Sequence, residues 1–328
     1  MSNILLTFDY ELFFGSNVGT QERCIIEPTQ KIIKLLGKYQ IKASFFVDSG
    51  YILKLQAYRK KYPKIEKDYQ TIIAQIEQLH AEGHEIQLHI HPHWEDSHYN
   101  GQKWIVDTTR YRLHNFSKEE VDDIVYRYKK VLTNIVGNNI FAHRAGGWSI
   151  QPFSHLKDAL KKHNIWLDST LFENGQNSSS THYFNFKNIP NKTLWNFEDD
   201  PTKEQNSGFF KEIPISAYRL SPLFFWKLVY FKKFGGKKHK NFGDGSATGG
   251  SRVDKLRMLT QYTNSVVSMD GYKISFLEKA YKDFLKKRDK KNFVAIAHPK
   301  SMTPYSLEKL ETFILNNIHK NFTTYKEI

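Results

Sequence analysis

The chain has 328 residues, enough to bury a large core, and 40% hydrophobic with 25% charged residues is the composition of a folded globular protein, not a disordered one. Its 48 Lys and Arg against 34 Asp and Glu leave a charge of +14, which points to an anionic partner, and its single cysteine, Cys24, excludes an intrachain disulfide. No apolar run reaches the about 18 residues of a membrane-spanning helix, and "MSNILLTFDYE" lacks the basic-then-apolar order of a secretory leader, so the expected location is the cytoplasm.

The first predicted element, "NILLTFDYE", is an apolar strand. "PTQKIIKLLGKY" has helical spacing, with Pro28 suited to a first turn. "KASFFVDSG" is a second strand, and "YQTIIAQIEQLHAEG" a helix closed by Gly83. "HEIQLHI" is a third strand, followed by a long connection over 94–116. "SKEEVDDIVYRYKKVLTNIVG" opens on a Ser-x-x-Glu capping box and ends at Gly137. "IFAHRAG" is a strand, "SIQPFSHLKDALKKHN" a helix and "IWLDST" a strand.

Residues 171–208 are rich in Asn, Ser and Thr and read as a loop. "FFKEIPIS" is strand-like, and "GDGSATGGSR" reads as a flexible loop. "RVDKLRMLTQYTNSVV" and "ISFLEKAYKDFLKKRDK" are predicted helices. "NFVAIAHP" is a strand, and "TPYSLEKLETFILNNIHK" a last helix. Repeated strand–helix units predict an α/β fold with a parallel sheet, closed as a barrel. No G-x-G-x-x-G follows the first strand, which argues against dinucleotide binding. The expectation is one domain over 1–328 with a loop-rich, basic and aromatic insertion at about 171–251.

In parallel α/β folds the working groups sit where strands end. Here the first strand delivers Asp9 and Glu11, the third His89, His91 and His93, the fourth His143 and Arg144, the fifth Asp168, and the last His298. Asp9 and Glu11 lie two apart on a strand, so their side chains share a face. A divalent cation would relieve their repulsion; the competing reading is a solvated strand end. His89 and His93 are four apart and would share a metal on a tightly turned segment. His91 falls off that spacing, and the alternative for all three is a polar loop. Arg144 would orient a carboxylate or form a structural ion pair. Asp168 and His298 would make an Asp–His pair, with His298 otherwise a structural histidine.

"TFDYE", "HIHPH", "RAGGW", "LDST" and "IAHP", in this order from Thr7 to Pro299, resemble the polysaccharide deacetylase family, the NodB-homology carbohydrate esterases. The resemblance implies an irregular (β/α)7–8 barrel and metal-dependent removal of acetyl from an N-acetylated sugar. It implies Asp9 as catalytic base, Arg144 as the group orienting it, and His298 as general acid with Asp168 as its partner. It implies His89 and His93 as ligands of one divalent metal, zinc first, with Co2+, Ni2+ or Mn2+ as alternatives.

The family's second motif acid is replaced here by Tyr10, so Glu11 is taken as the third ligand, as in an Asp-x-Glu branch. Arg-x-Pro is replaced by Arg144-Ala145-Gly146-Gly147, which changes one wall of the site. The overall motif set is similar to that of deacetylases of bacterial surface-glycan synthesis. Tyr10, Trp94 and Trp148 are candidate substrate contacts, the tryptophans through stacking on a sugar face. A glycan-binding pseudoenzyme of the same fold, and a hydrolase of another non-peptide amide, are the rival readings.

"LSPLFFWKLVYFKKFGGKKHK" over 220–240 interleaves aromatic residues with lysines, and no Asp or Glu occurs between Ile213 and Gly243. It is expected either to lie on an anionic membrane surface or to pack as an ordinary helix with a solvated lysine turn. Nucleic acid is not an expected partner, because the acids and histidines at the strand ends would repel phosphate.

Overall fold

The computed structural model describes residues 2–179, 181–246 and 252–328, with 252–255 described by their backbone only. Half of the loop expected at "GDGSATGGSR", residues 247–251, therefore lies outside the described residues. The chain forms two compact units, Met1–Ala43 with Ile215–Thr323 and Ser44–Pro214 with Thr324–Ile328.

In chain order the strands used below are β1 (Asn3–Tyr10), β2 (Ser44–Asp48), β3 (Glu85–Ile90), β4 (Ala142–Ala145), β5 (Leu167–Asp168), β6 (Trp195–Phe197), β7 (Phe210–Glu212), β8 (Ala217–Leu220), β9 (Thr263–Val266), β10 (Asn292–Ala297) and β11 (Asn321–Phe322). The helices are α1 (Glu27–Lys38), α2 (Ser49–Tyr58), α3 (Pro63–Ala81), α4 (Lys118–Val136), α5 (Lys157–Lys162), α6 (Pro222–Phe234), α7 (Arg252–Thr260), α8 (Leu277–Phe284) and α9 (Pro304–Asn316).

In the first unit β1 pairs in parallel with β10, from Asn3↔Asn292 to Phe8↔Ala297, and with β11. β10 is buried along its whole length and β1 from Ile4 onward, the pattern of strands covered on both faces. Ile32, Ile33 and Leu36 form the buried stripe of α1, and Leu277, Ala280, Tyr281 and Phe284 that of α8. β8 and β9 make a separate antiparallel pair. The register of β1 with β10 sets Phe8 beside Ala297, so the residues just beyond, Asp9 and His298, leave neighbouring strand ends.

In the second unit parallel pairs run β2 to β3, β3 to β4, β4 to β5 and β5 to β7, with β6 antiparallel on β7. Their register puts Asp48 opposite His89, His89 opposite Arg144, His143 opposite Asp168, and Asp168 opposite Glu212. One row of strand ends thus carries Asp48, His89, His143, Arg144, Asp168 and Glu212, all of them buried. The Ser117 hydroxyl accepts the Glu120 N–H and the Glu120 carboxylate accepts the Ser117 N–H, closing the expected capping box of α4. Such a cap contributes about 1 kcal/mol. Gly137 ends α4 with φ 78°.

All seven strands expected from the sequence are found. The remaining elements differ in several places, among them the helix expected over 274–290, which is found only over Leu277–Phe284. The helix expected over 149–164 is reduced to a turn at Phe153–His155 and the short α5, because Pro152 has no N–H to give. The helix expected over 252–267 stops at Thr260, and Thr263–Val266 pairs with β8 instead. The loop expected over 171–208 contains β6 and a small antiparallel pair, Gln176–Ser178 with Tyr183–Asn185. Sequence reading missed α2, whose "SGYILKLQAY" is apolar without helical spacing. The residues expected as one insertion divide between the units at Pro214 and Ile215. Among the described residues no helix is long and apolar enough to cross a membrane.

Candidate active site

The first unit brings Asp9, Glu11 and His298 together. All three follow the buried pairing of β1 with β10, and Asp9 and Glu11 are almost wholly buried. His298 Nε2 lies 3.8 Å from Asp9 Oδ2 and 3.8 Å from Glu11 Oε1. Its other ring nitrogen, Nδ1, donates to Asp270 Oδ2 at 2.9 Å, and its backbone N–H donates to Asp270 Oδ1 at 2.8 Å. The ring is thus held by one carboxylate and directed at two others.

The electrostatics follow from that geometry. Burial alone would lower the basicity of His298, but Asp270 first, then Asp9 and Glu11, hold it above its ordinary value. Burial would raise the Asp270 carboxyl, and the charge and hydrogen bonds of His298 bring it below the ordinary carboxylate range. Lys300 adds a buried cation: its Nζ lies 2.8 Å from Glu11 Oε1 and 4.9 Å from the centre of the Phe13 ring.

The second unit holds the histidines. His89 Nδ1 lies 2.8 Å from the Arg144 carbonyl, which can only accept, so Nδ1 carries the proton and Nε2 the lone pair. His91 Nε2 stands 3.0 Å from that His89 Nε2. The two residues are separated by one position of extended chain, so their rings leave the same side. His93 sits in the following tight turn and lies parallel to Tyr111, with centroids 5.6 Å apart.

The "AGGW" sequence is explained by this crowding. A Cβ at Gly146 would come 2.5 Å from His91 Nδ1, and one at Gly147 2.6 Å from the His182 ring. Gly147 and Trp148 both have left-handed backbone, with φ 59° and 58°. That is routine for glycine and costly for tryptophan. Trp148 is half-buried against Phe172 and Phe184.

Arg144 and Asp168 are buried beside one another's neighbours. Arg144 Nε donates to the Ser169 carbonyl at 2.8 Å, Nη2 reaches Ser169 Oγ and Tyr325 Oη, and the guanidinium lies 4.0 Å over Phe46. Asp168 Oδ2 accepts from His143 Nδ1 at 2.9 Å and from Thr170 Oγ1 at 3.0 Å. Across the ladder from it, burial first and the charge of Asp168 next push the Glu212 carboxyl well above the ordinary range.

A family model described as polysaccharide deacetylase matches residues 2–165, half of the chain. The chain belongs to the polysaccharide deacetylase family. No curated protein matches it by sequence. A Mycobacterium smegmatis crystal structure, named for a polysaccharide deacetylase, is 14% identical with TM-score 0.53, over 99% of this chain and 87% of that one. That likeness shows a shared fold, and the α/β class expected from the sequence is the class found. The Xyl-CE4 domain of a multidomain xylanase from the Trinervitermes trinervoides hindgut metagenome is 11% identical with TM-score 0.40, over 99% of this chain and 88% of that domain.

Within this deacetylase-family chain several expected contacts are placed differently. The carboxylate on His298 is Asp270, 28 residues before it, whereas Asp168 receives His143. The imidazole whose Nε2 meets that of His89 is His91, not His93. Trp94 offers no face to a sugar: it is 1% exposed, donates to Asp48 Oδ2 at 2.6 Å and packs on Tyr51 and Trp104. Tyr10 is equally buried, and burial pushes its phenol well above its ordinary range. Sequence reading passed over Asp270, Glu212 and Lys300. Only Lys300 carried a signal, since a lysine two residues beyond His298 starts from the same strand end.

Proposed function

We propose that this chain is a metal-dependent hydrolase that removes acetyl from an N-acetylated sugar of a bacterial surface glycan or its precursor. The observation that carries the reading is His298, anchored by Asp270 and directed at Asp9 and Glu11, which sets a proton donor beside a candidate proton acceptor. Family membership supplies the carbohydrate amide as the substrate class.

The proposed ligands of the divalent ion are His89 and His91 of the second unit, with Glu11 the third ligand expected from the sequence; zinc is suited best to imidazole and carboxylate donors, and cobalt, nickel or manganese are acceptable. The histidines fit such an ion: the His89 tautomer puts its lone pair on Nε2, and the His91 Nε2 lies 3.0 Å away. Two ligands bound tetrahedrally at zinc distances stand roughly 3.3 Å apart. When bound, the ion would polarise the acetyl carbonyl and acidify a water.

Asp9 takes a proton from the attacking water while the water oxygen bonds to the acetyl carbon. His298 gives its Nε2 proton to the sugar nitrogen as the C–N bond breaks. The products are acetate and the amino sugar. In this reading Arg144 orients Asp9, Asp168 holds His143 and the strand end instead of acting on substrate, and Trp148 supplies an aromatic face for the sugar ring.

Zinc-loaded protein should release acetate from N-acetylglucosamine oligomers or other N-acetylated glycans. Asp9→Asn should retain metal and lose about 10²- to 10⁴-fold in rate. Metal-loaded protein that releases no acetate from any such glycan, or Asp9→Asn at wild-type rate, would refute the reading. One observation favours a glycan-binding protein without turnover: Lys300 already brings a positive charge to Glu11 at 2.8 Å. Glycan binding with neither zinc uptake nor acetate release would establish that alternative.

A further inference from the structure

Helix α6 carries apolar residues on every side, interrupted by Lys227, Lys232 and Lys233, yet only part of that apolar surface is covered. Phe224 and Phe225 are buried and pack with Leu220, while Leu223, Trp226, Tyr230 and Phe234 are 63%, 56%, 58% and 63% exposed. At about 100° per residue these four fall within an arc of about 80° on the outward side. Lys227 borders that arc on one flank and Lys233 on the other, both exposed. A helix that is apolar on all sides is normally buried on all sides. Scattered exposed apolar residues need no explanation, but four large ones in a single stripe do.

The charge around the stripe selects what covers it. No Asp or Glu occurs from Ile213 to Gly243, and that span holds six lysines and one arginine. Among the described residues Lys238 is paired with Glu308, whereas Lys227, Lys232, Lys233, Lys237 and Lys240 have no carboxylate at salt-bridge distance. Trp226 is itself fixed, its indole N–H donating to the Leu259 carbonyl at 3.1 Å, so the ring is presented at the surface on a rigid element. An aromatic and aliphatic stripe between lysines, in a span of chain without Asp or Glu, is the pattern of a helix lying in the headgroup boundary of an anionic bilayer.

We propose that α6 docks this protein on the surface of an anionic phospholipid bilayer, with Leu223, Trp226, Tyr230 and Phe234 entering the acyl boundary and Lys227 and Lys233 meeting the headgroups. The docking stands apart from the deacetylase reading, and its test does not use turnover.

The full chain is sedimented with phosphatidylcholine vesicles and with phosphatidylcholine–phosphatidylglycerol vesicles at low and physiological salt. Wild-type protein should pellet with the anionic vesicles and much less with the neutral ones, and the difference should shrink with salt. Two variants separate the contributions: L223S/Y230S/F234S and K227E/K233E. Each should weaken partitioning at least about tenfold, with the melting temperature unchanged because all five side chains are exposed. The proposal fails if wild-type protein stays in the supernatant with anionic vesicles at low salt, or if both variants sediment like wild type. It also fails if the chain ignores vesicles but forms a dimer that the apolar variant abolishes, which would assign the stripe to a second copy. Acetate release, measured on the same variants in solution, reports separately on the active site.

Discussion

Asp270 holds His298 twice, accepting from its ring Nδ1 at 2.9 Å and from its backbone N–H at 2.8 Å, so the carboxylate is fixed against the main chain and the imidazole cannot turn without breaking its Nδ1 bond. In the proposed mechanism this pair supplies the proton to the leaving amine. Its two members shift in opposite directions, His298 upward and Asp270 downward, as expected of a pair that is most stable when both are charged.

The pH profile of Asp270→Asn tests that pair. A raised His298 stays protonated to higher pH than an ordinary histidine, so acid catalysis holds below its folded pKa and falls as pH rises through it. Asp270→Asn should move this falling limb to lower pH and reduce kcat about 10²-fold or more. Stability follows the same sign. The raised His298 contributes stability that is fully present below the unfolded value of about 6.5 and is lost as pH rises through the folded one. The depressed Asp270 contributes stability present above about 3.8 and lost as pH falls through its folded value. Urea midpoints against pH should therefore flatten in the variant; an unchanged activity limb would detach Asp270 from His298.

Metal content separates the three histidines. His89→Ala and His91→Ala should each lose bound zinc, by about 10²-fold or more in affinity, whereas His93→Ala should keep it and show only the stability loss of a missing ring on Tyr111. Inductively coupled plasma measurement on dialysed protein decides the matter. Loss of zinc in His93→Ala with retention in His91→Ala would return the ligand role to His93.

Lys300→Met probes the buried cation beside Glu11. Both side chains are 5% exposed, so removing the ammonium leaves Glu11 buried without it and should cost about 3 kcal/mol in metal-free protein. If Glu11 is a ligand, added zinc should recover much of that loss. The shift in melting temperature on adding zinc should then be larger in Lys300→Met than in wild type. Equal shifts would argue that Glu11 does not meet the ion.

The two tryptophans next to the motifs should behave oppositely. Trp94→Ala removes a fully buried ring and its bond to Asp48, and should destabilise by about 3 to 5 kcal/mol, with KM unchanged in what remains folded. Trp148→Ala leaves the left-handed backbone strain in place, because alanine keeps the Cβ, but it removes a half-buried ring and should raise KM several-fold with a smaller loss of stability than Trp94→Ala. Denaturant midpoints and steady-state kinetics on both variants give the contrast directly.

The amino-acid sequence by itself determined the seven strands, the capping box of α4 and the strand ends at which the titratable groups gather. Those features are local: apolar runs of a few residues, the Ser117–Glu120 spacing, and side-chain alternation at Asp9 and Glu11. The order of five motifs also carried the family. Tertiary structure alone decided the partners. A linear reading gives His298 the acid Asp168 and passes over Asp270, whereas the register of β4 with β5 gives Asp168 to His143, and His298 meets Asp270. His91 displaces His93 beside His89 because the chain stays extended through His91 before it turns. Trp94 and Tyr10 look like ligand-facing aromatics in sequence and are interior in fact. Composition and spacing say which groups reach a strand end, but a hydrogen bond or a buried face depends on which distant segment arrives opposite, and that is set by the packing of the whole unit.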